Sequence, residues 1–331
     1  MYDHIVGPNQ VNKKISHAYI WVMPKSGTVF ISIFMNVYSE LLNTRYPSDK
    51  ELQYSYPKVS LFGKTEFVVE HAECPGYLEA EKDPQMLALW KSLSYNDKHW
   101  AGNEARRKQL GLVMAPDANK NLGSSDKKIL NRTKIVFIYR NFLDEMISLF
   151  KHQRGYLADN HPSQPTANIT QAELERFIFD KGALANCIKL FYSYYVVSKK
   201  YPDMILFVPY EEIINNKEAA LHRIINHLGI PYNEKAFLKA IELTSMDSMK
   251  SLEHRMGHAL IGNQQVPYQT HIRNGGIGMW QAHMTPEMVK KIEAKMNQFG
   301  LSLTMFFLAN NLTPKFIFLK PDNLLTPKPR P

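Results

Sequence analysis

The run Lys134-Ile135-Val136-Phe137-Ile138-Tyr139 limits the fold more than any other stretch of the chain. Its apolar residues are continuous, not alternating. Such a strand is buried on both faces, which happens where helices cover a parallel sheet from either side. Ala18 to Met23 and Met204 to Val208 have the same character, and Phe67 to His71 is a further strand. Between them lie helical patterns: Thr28 to Leu42, about Asn141 to His152, most of Gln171 to Lys200, and Lys217 to Leu228 with Gly229 and Pro231 as its stop signal. Others fall at Glu79 to Ser94, Lys235 to Leu243 and Pro286 to Phe299, and Leu110 to Met114 could be one more strand. Strands alternating with helices predict an α/β fold, a single domain with a central, mainly parallel sheet flanked by helices. Its bounds are placed at residues 1–312, with a Pro-rich irregular tail over 313–331. Leu157 to Asn168 reads as a linker.

The strand at Ala18 to Met23 runs into Pro24-Lys25-Ser26-Gly27-Thr28-Val29-Phe30, and a helix follows at once. A strand, a tight glycine turn and a helix start aim several backbone N–H groups at one point, a P-loop-like phosphate cradle. Lys25 adds a point charge, and Ser26 and Thr28 add hydroxyl donors. The Walker pattern is not met, because Lys25 precedes Gly27 and no glycine lies four residues further back. A second anion grip follows the strand at Lys134 to Tyr139. Arg140 stands at the strand exit, and Ser148 lies about two helical turns on. An arginine fork and a hydroxyl suit a phosphate.

With 331 residues, 44% of them apolar, the chain can bury a sizeable core. The net charge of +9, from 40 basic and 31 acidic residues, favours anionic partners. The basic residues are scattered, and no nucleic-acid signature accompanies them, so nucleic acid is not an expected partner. No apolar run reaches the roughly 18 residues of a membrane span, and Met1 to Lys14 lacks a signal-peptide core. A cytoplasmic protein is expected. The two cysteines, Cys74 and Cys187, have no metal-ligand spacing and read as ordinary thiols, and no metal site is expected.

Pro24-Lys25-Ser26-Gly27-Thr28 resembles the 5′-phosphosulfate loop of the cytosolic-type sulfotransferases that use 3′-phosphoadenosine 5′-phosphosulfate (PAPS). Arg140 and Ser148 resemble that family's 3′-phosphate motif. Val208-Pro209-Tyr210-Glu211-Glu212 is similar to its strand–Tyr–acidic pair, and Thr244-Ser245-Met246 to its segment near the adenine. Arg273-Asn274-Gly275-Gly276-Ile277-Gly278-Met279-Trp280 resembles its late glycine loop. Order and rough spacing hold from Pro24 to Trp280.

The resemblance implies that Lys25, Ser26, Gly27 and Thr28 hold the 5′-phosphosulfate, with Val29 in the same loop. It implies that Arg140, Ser148, Arg273, Asn274 and Gly275 hold the 3′-phosphate. Phe30 and Met246 would pack on the two sides of adenine, and Tyr210 and Thr244 would contact the nucleoside. Three positions depart from the pattern. Val29 replaces a hydroxyl residue, Asn274 a lysine, and Met279 the aspartate before Trp280.

Sulfuryl transfer is an in-line attack by an acceptor oxygen on sulfur, with adenosine 3′,5′-bisphosphate (PAP) as leaving group. Lys25 would stabilise charge on the bridging oxygen, without a metal. The acceptor hydroxyl must also lose its proton. The family's Lys-Thr-His string is missing. Phe67-Val68-Val69-Glu70-His71-Ala72-Glu73-Cys74-Pro75 offers His71, with Glu70 and Glu73 as alternatives. If that segment matches a pocket-lining strand instead, the catalytic strand is Leu110 to Pro116, with Asp117 as its nearest titratable group. A small hydroxylated or phenolic acceptor is expected, shaped in part by the polar region between Cys74 and Lys128. A homodimer is compatible with the chain. Two other functions share the cradle: a P-loop small-molecule kinase, and a non-catalytic PAPS- or PAP-binding relative.

Overall fold

Residues at odd and even positions of the central strands face different cores. The computed structural model describes residues 17–43, 58–62, 65–71, 133–160, 170–256 and 276–303. Its strands are β1 (His17–Val22), β2 (Lys58–Phe62), β3 (Thr65–His71), β4 (Thr133–Tyr139) and β5 (Ile205–Pro209). They form one sheet in the order β2-β3-β1-β4-β5. β3, β1, β4 and β5 are parallel, and β2 pairs antiparallel with β3 at the edge. The mainly parallel sheet expected from the apolar runs is present.

The helices are α1 (Thr28–Leu42), α2 (Phe142–Asn160), α3 (Gln171–Glu175), α4 (Ala183–Lys200), α5 (Tyr210–Asn215), α6 (Lys217–Leu228), α7 (Glu234–Leu243), α8 (Met246–Met256) and α9 (Pro286–Asn297). On one face of the sheet, Tyr19, Trp21, Ile135 and Phe137 pack with residues of α2, α4 and α9, among them Met146, Phe191 and Ile292. On the other, Ala18, Ile20, Val136 and Ile138 pack with Phe34 of α1, Ile224 of α6 and Phe237 of α7. Helices on both faces are what make an unbroken apolar strand favourable. Phe137 is fully buried and stacks on Tyr194 with ring centroids 4.1 Å apart. Truncating such a side chain to alanine typically costs about 3–5 kcal/mol.

The structure differs from the sequence expectations in several places. α2 continues through Leu157 to Asn160, where a linker was expected. The helical stretch from Gln171 is interrupted by a π-turn over Arg176–Asp180, closed by Lys181 N–H donating to Arg176 O at 2.9 Å. β2, α5 and α8 add elements that the patterns did not reveal. The segments 79–94 and 110–114 and the tail over 313–331 lie outside the described residues.

The order of the strands positions the site. From β1 the chain moves outward to the edge strand β2, returns through β3 beside β1, then crosses to β4 on the other side of β1 and continues to β5. The connections therefore diverge between β1 and β4. In an open parallel sheet, the crevice beyond the strand ends at such a switch point is where ligands bind.

Candidate nucleotide-binding and active site

The first grip leaves β1. Met23 N–H still donates to Ile138 O of β4 at 2.8 Å, and Ser26 N–H then closes a turn on Met23 O at 3.1 Å. Lys25 sits at a φ of 64°, a left-handed conformation that costs an L-residue energy and is commonest at functional sites. Gly27 has a φ of 93°, and a Cβ there would lie 3.0 Å from Tyr210 Cε2. Both facts demand glycine. Ile31 N–H makes the bond to Gly27 O at 3.0 Å that opens α1. The amides of Thr28, Val29 and Phe30 precede it and have no partner within the helix.

The hydroxyls of Ser26 and Thr28 are buried with no hydrogen-bond partner. An unsatisfied buried hydroxyl costs about 1–3 kcal/mol. Phosphate oxygens would satisfy both, so the residues present fit a 5′-phosphate.

The second grip leaves β4. Arg140 is 3% exposed. Its Nη1 donates to Lys25 O at 3.2 Å and its Nη2 to Gly276 O at 2.6 Å. Its guanidinium also lies 4.8 Å from the centroid of the Tyr210 ring. The arginine expected to hold the 3′ end thus touches the loop expected to hold the 5′ end. Tyr210 packs beneath both, against Gly27 and against Arg140. Burial raises its phenol pKa, so it stays neutral.

α2 is capped by Asn141, whose Oδ1 accepts from Leu143 N–H at 3.0 Å. Asn141 N–H donates to Glu211 Oε1 at 2.9 Å, and Glu212 pairs with Arg223 at 2.5 Å. The acidic pair after Tyr210 therefore braces the frame. Ser148 is buried and stands one α2 turn beyond Asp144, so it shares a helix face with that residue.

Asp144 was not singled out in the sequence. It is fully buried, and its two oxygens accept from Gly278 N–H at 2.7 Å and Trp280 N–H at 3.0 Å. An acidic residue in the first turn of a helix after a strand was visible. Its partners, some 134 residues away, were not.

The residues expected around the base lie on other elements. Phe30 is half-buried on α1, and Lys217 Nζ sits 5.3 Å from the centroid of its ring. Burial lowers the pKa of Lys217. Thr244 is fully buried at the end of α7, with its hydroxyl donating to Ala240 O at 2.7 Å. Met246 opens α8 and is half-buried.

His71 ends β3, in register with Val22 of β1. It stands at the carboxyl edge of the sheet, one strand from the Lys25 loop. Glu70 is opposite Trp21. Glu73, Asp117, Arg273, Asn274 and Gly275 lie outside the described residues. Among the described residues, no group of His, Cys, Asp and Glu could hold a metal ion.

Two buried carboxyls, Glu145 and Glu211, lie near Arg140. Burial pushes the Glu145 carboxyl up to about 8, with the neighbouring Cys187 thiol and Arg140 pulling it partly back. Burial also raises Glu211, countered first by the Asn141 N–H. The Cys187 thiol is raised by burial and by Glu145, which makes it unreactive, as its reading as an ordinary thiol implies.

Comparison with known proteins accords with this geometry. The sulfotransferase domain family model matches residues 16–300. Cytosolic sulfotransferase 3 of Arabidopsis thaliana is 26% identical over 171 residues, 50% of this chain and 52% of the relative. Flavonol 3-sulfotransferase of Flaveria bidentis is 23% identical over 176 residues, 50% of this chain and 54% of the relative. The chain thus spans about half the length of the curated relatives it matches. Retinol dehydratase, solved with androsterone and the inactive cofactor PAP, superposes with a TM-score of 0.50 at 16% identity, covering 86% of this chain and 81% of that one. At that identity the likeness is one of fold. No helix among the described residues is long and apolar enough to cross a membrane. The match over residues 16–300, together with the cradle after β1 and the arginine after β4, means that this chain belongs to the sulfotransferase domain family.

Proposed function

We propose that the protein transfers a sulfuryl group from PAPS to a hydroxyl of a small acceptor. The observation that carries this reading is the junction of the two anion grips, Arg140 Nη1 on Lys25 O at 3.2 Å, at the switch point between β1 and β4. One nucleotide with phosphates at both ends suits two grips so close together. Retinol dehydratase holds the same kind of nucleotide, PAP.

The donor supplies the activated sulfuryl group, and the chain binds, orients and neutralises. Backbone amides at the start of α1 and the Ser26 and Thr28 hydroxyls hold the 5′-phosphate. Lys25 places an ammonium at the bridging oxygen, where charge grows as the S–O bond breaks. Arg140 and Ser148, with Arg273, Asn274 and Gly275, hold the 3′-phosphate. Phe30 and Met246 flank the purine, and Tyr210 and Thr244 contact the nucleoside. His71 takes the acceptor proton, supported by its place at the strand edge beside the cradle. Glu70, Glu73 and Asp117 are the alternatives for that role. The acceptor is a small hydroxylated or phenolic molecule, and the protein acts in the cytoplasm, like the relatives whose names say so. The domain is taken as residues 1–312. Sedimentation equilibrium tests the homodimer.

Transfer of labelled sulfate from PAPS across a panel of phenols, flavonols and alcohols tests the reading. Turnover without added metal is expected, together with a higher melting temperature in PAP and little change in ATP with magnesium. Stabilisation only by ATP with magnesium would favour a kinase. PAP binding without turnover across the panel would leave a non-catalytic relative.

A further inference from the structure

We infer that Asp144 is a positioning residue that completes the 3′-phosphate pocket by clamping the late glycine loop onto the start of α2. This rests on the reading of Arg140 as the 3′-phosphate ligand. Three bonds tie the Gly276–Trp280 segment to the β4–α2 junction. Arg140 Nη2 donates to Gly276 O at 2.6 Å, and the two Asp144 oxygens accept from Gly278 N–H at 2.7 Å and Trp280 N–H at 3.0 Å. Arg140 at the exit of β4 and Asp144 in the first turn of α2 both reach the same loop.

The loop cannot hold itself in this way. Gly278 is the N-cap of the short 3-10 helix Met279–Ala282 and offers no capping side chain. Its φ of 81° turns the chain into that helix. Asp144 supplies the missing cap from another element. A fully buried carboxylate is costly unless its oxygens are bonded, and here each receives a backbone N–H. Asp144 is the third residue of α2, in its first turn, where the positive end of the helix dipole favours a carboxylate. The consequence is geometric. Gly276 O is one of the two carbonyls that orient the Arg140 guanidinium, so fixing the Gly276–Trp280 end fixes the arginine that grips the 3′-phosphate.

The clamp should therefore act on one end of the nucleotide only. The test compares calorimetric binding of PAP with that of adenosine 5′-monophosphate, which lacks the 3′-phosphate. In the unchanged protein PAP should bind far more tightly. Asp144→Asn should weaken PAP by about 10- to 100-fold, as losses of supporting shells do, and leave the monophosphate within about twofold. Asp144→Glu should recover part of the loss. Amide exchange of the 276–282 peptide should quicken while β1 and β4 stay protected. If Asp144→Asn is not recovered folded, Asp144→Ser, which keeps one acceptor oxygen, is measured in the same way. A folded variant that keeps full discrimination between the two nucleotides, or loses affinity for both equally, would overturn the inference. Equal binding of both by the unchanged protein would overturn the donor reading itself, a distinguishable result.

Discussion

The two ends of the proposed nucleotide site are built differently. The cradle after β1 is one contiguous strand–turn–helix, and its donors are backbone amides and two hydroxyls within Ser26 to Thr28. The pocket after β4 is assembled across the chain, with Arg140 reaching Lys25 O and Gly276 O, and Asp144 reaching Gly278 and Trp280. A contiguous cradle is set by local backbone geometry and tolerates little change there. An assembled pocket depends on side chains far apart in sequence. Arg140 belongs to both, which couples one end to the other.

The largest effect should come from the cradle. Lys25→Ala should lower the rate of sulfuryl transfer by about 100-fold or more in single-turnover assays, with PAP binding changed much less. A rate within a few-fold of the original would remove Lys25 from the chemistry. Arg140→Ala should act the other way round. PAP affinity should fall by about 100-fold in calorimetry, because a buried charged hydrogen-bond network is broken at both loops. Because Arg140 also holds Lys25 O, the monophosphate should weaken as well but by much less, and an equal loss for both nucleotides would mean that the division of labour between the two ends is wrong.

Gly27→Ala sharpens the contrast. The added Cβ meets Tyr210 Cε2 at 3.0 Å in a backbone region that disfavours alanine. A loss of about 1–3 kcal/mol of stability is expected in urea titrations. Gly276→Ala meets only the flexible Met279 side chain, Cγ at 3.0 Å and Sδ at 3.3 Å, with no left-handed φ to strain, and should cost less.

The smallest effect concerns pH, and at the nucleotide site it belongs to the assembled end. Glu145 has a folded-state pKa of about 8, above its ordinary value of 4.5. The folded state therefore holds its proton where the unfolded chain loses it. Its contribution is fully present below about pH 4.5 and is lost as pH rises toward 8. Glu145→Gln should remove this decline, so its stability relative to the original protein should increase from pH 5 to pH 8. A relative stability that is flat with pH would mean that the carboxyl is not held neutral. His227 contributes with the opposite sign. Burial, helped by the Lys134 charge and opposed by the bond to Met204 O, lowers its pKa from 6.5 to about 4, so its stability term is lost as pH falls through that window.

The same contrast explains what was legible in the sequence. The continuous apolar run of β4 announced burial on both faces, and the core residues on either side of Phe137 bear this out. The cradle was legible because strand, turn and helix start are adjacent in the chain. The roles of Asp144 and of the acidic residues after Tyr210 were not, because each depends on a partner that only the fold brings close. β2 was missed for another reason. Lys58 to Phe62 is short, alternates polar and apolar residues, and pairs on one side only. The Gly63-Lys64 pair that separates it from β3 was the available hairpin signal. The overlong α2 shows propensity overridden, since Gly155 falls within a helix that continues to Asn160.

A crystal structure of the protein with adenosine 3′,5′-bisphosphate tests the central claim most directly. The account predicts the 5′-phosphate within hydrogen-bond distance of the Ser26 to Thr28 amides and hydroxyls, and the 3′-phosphate at Arg140 and Ser148. A nucleotide bound in the reverse sense, or seated away from the crevice between β1 and β4, would contradict it.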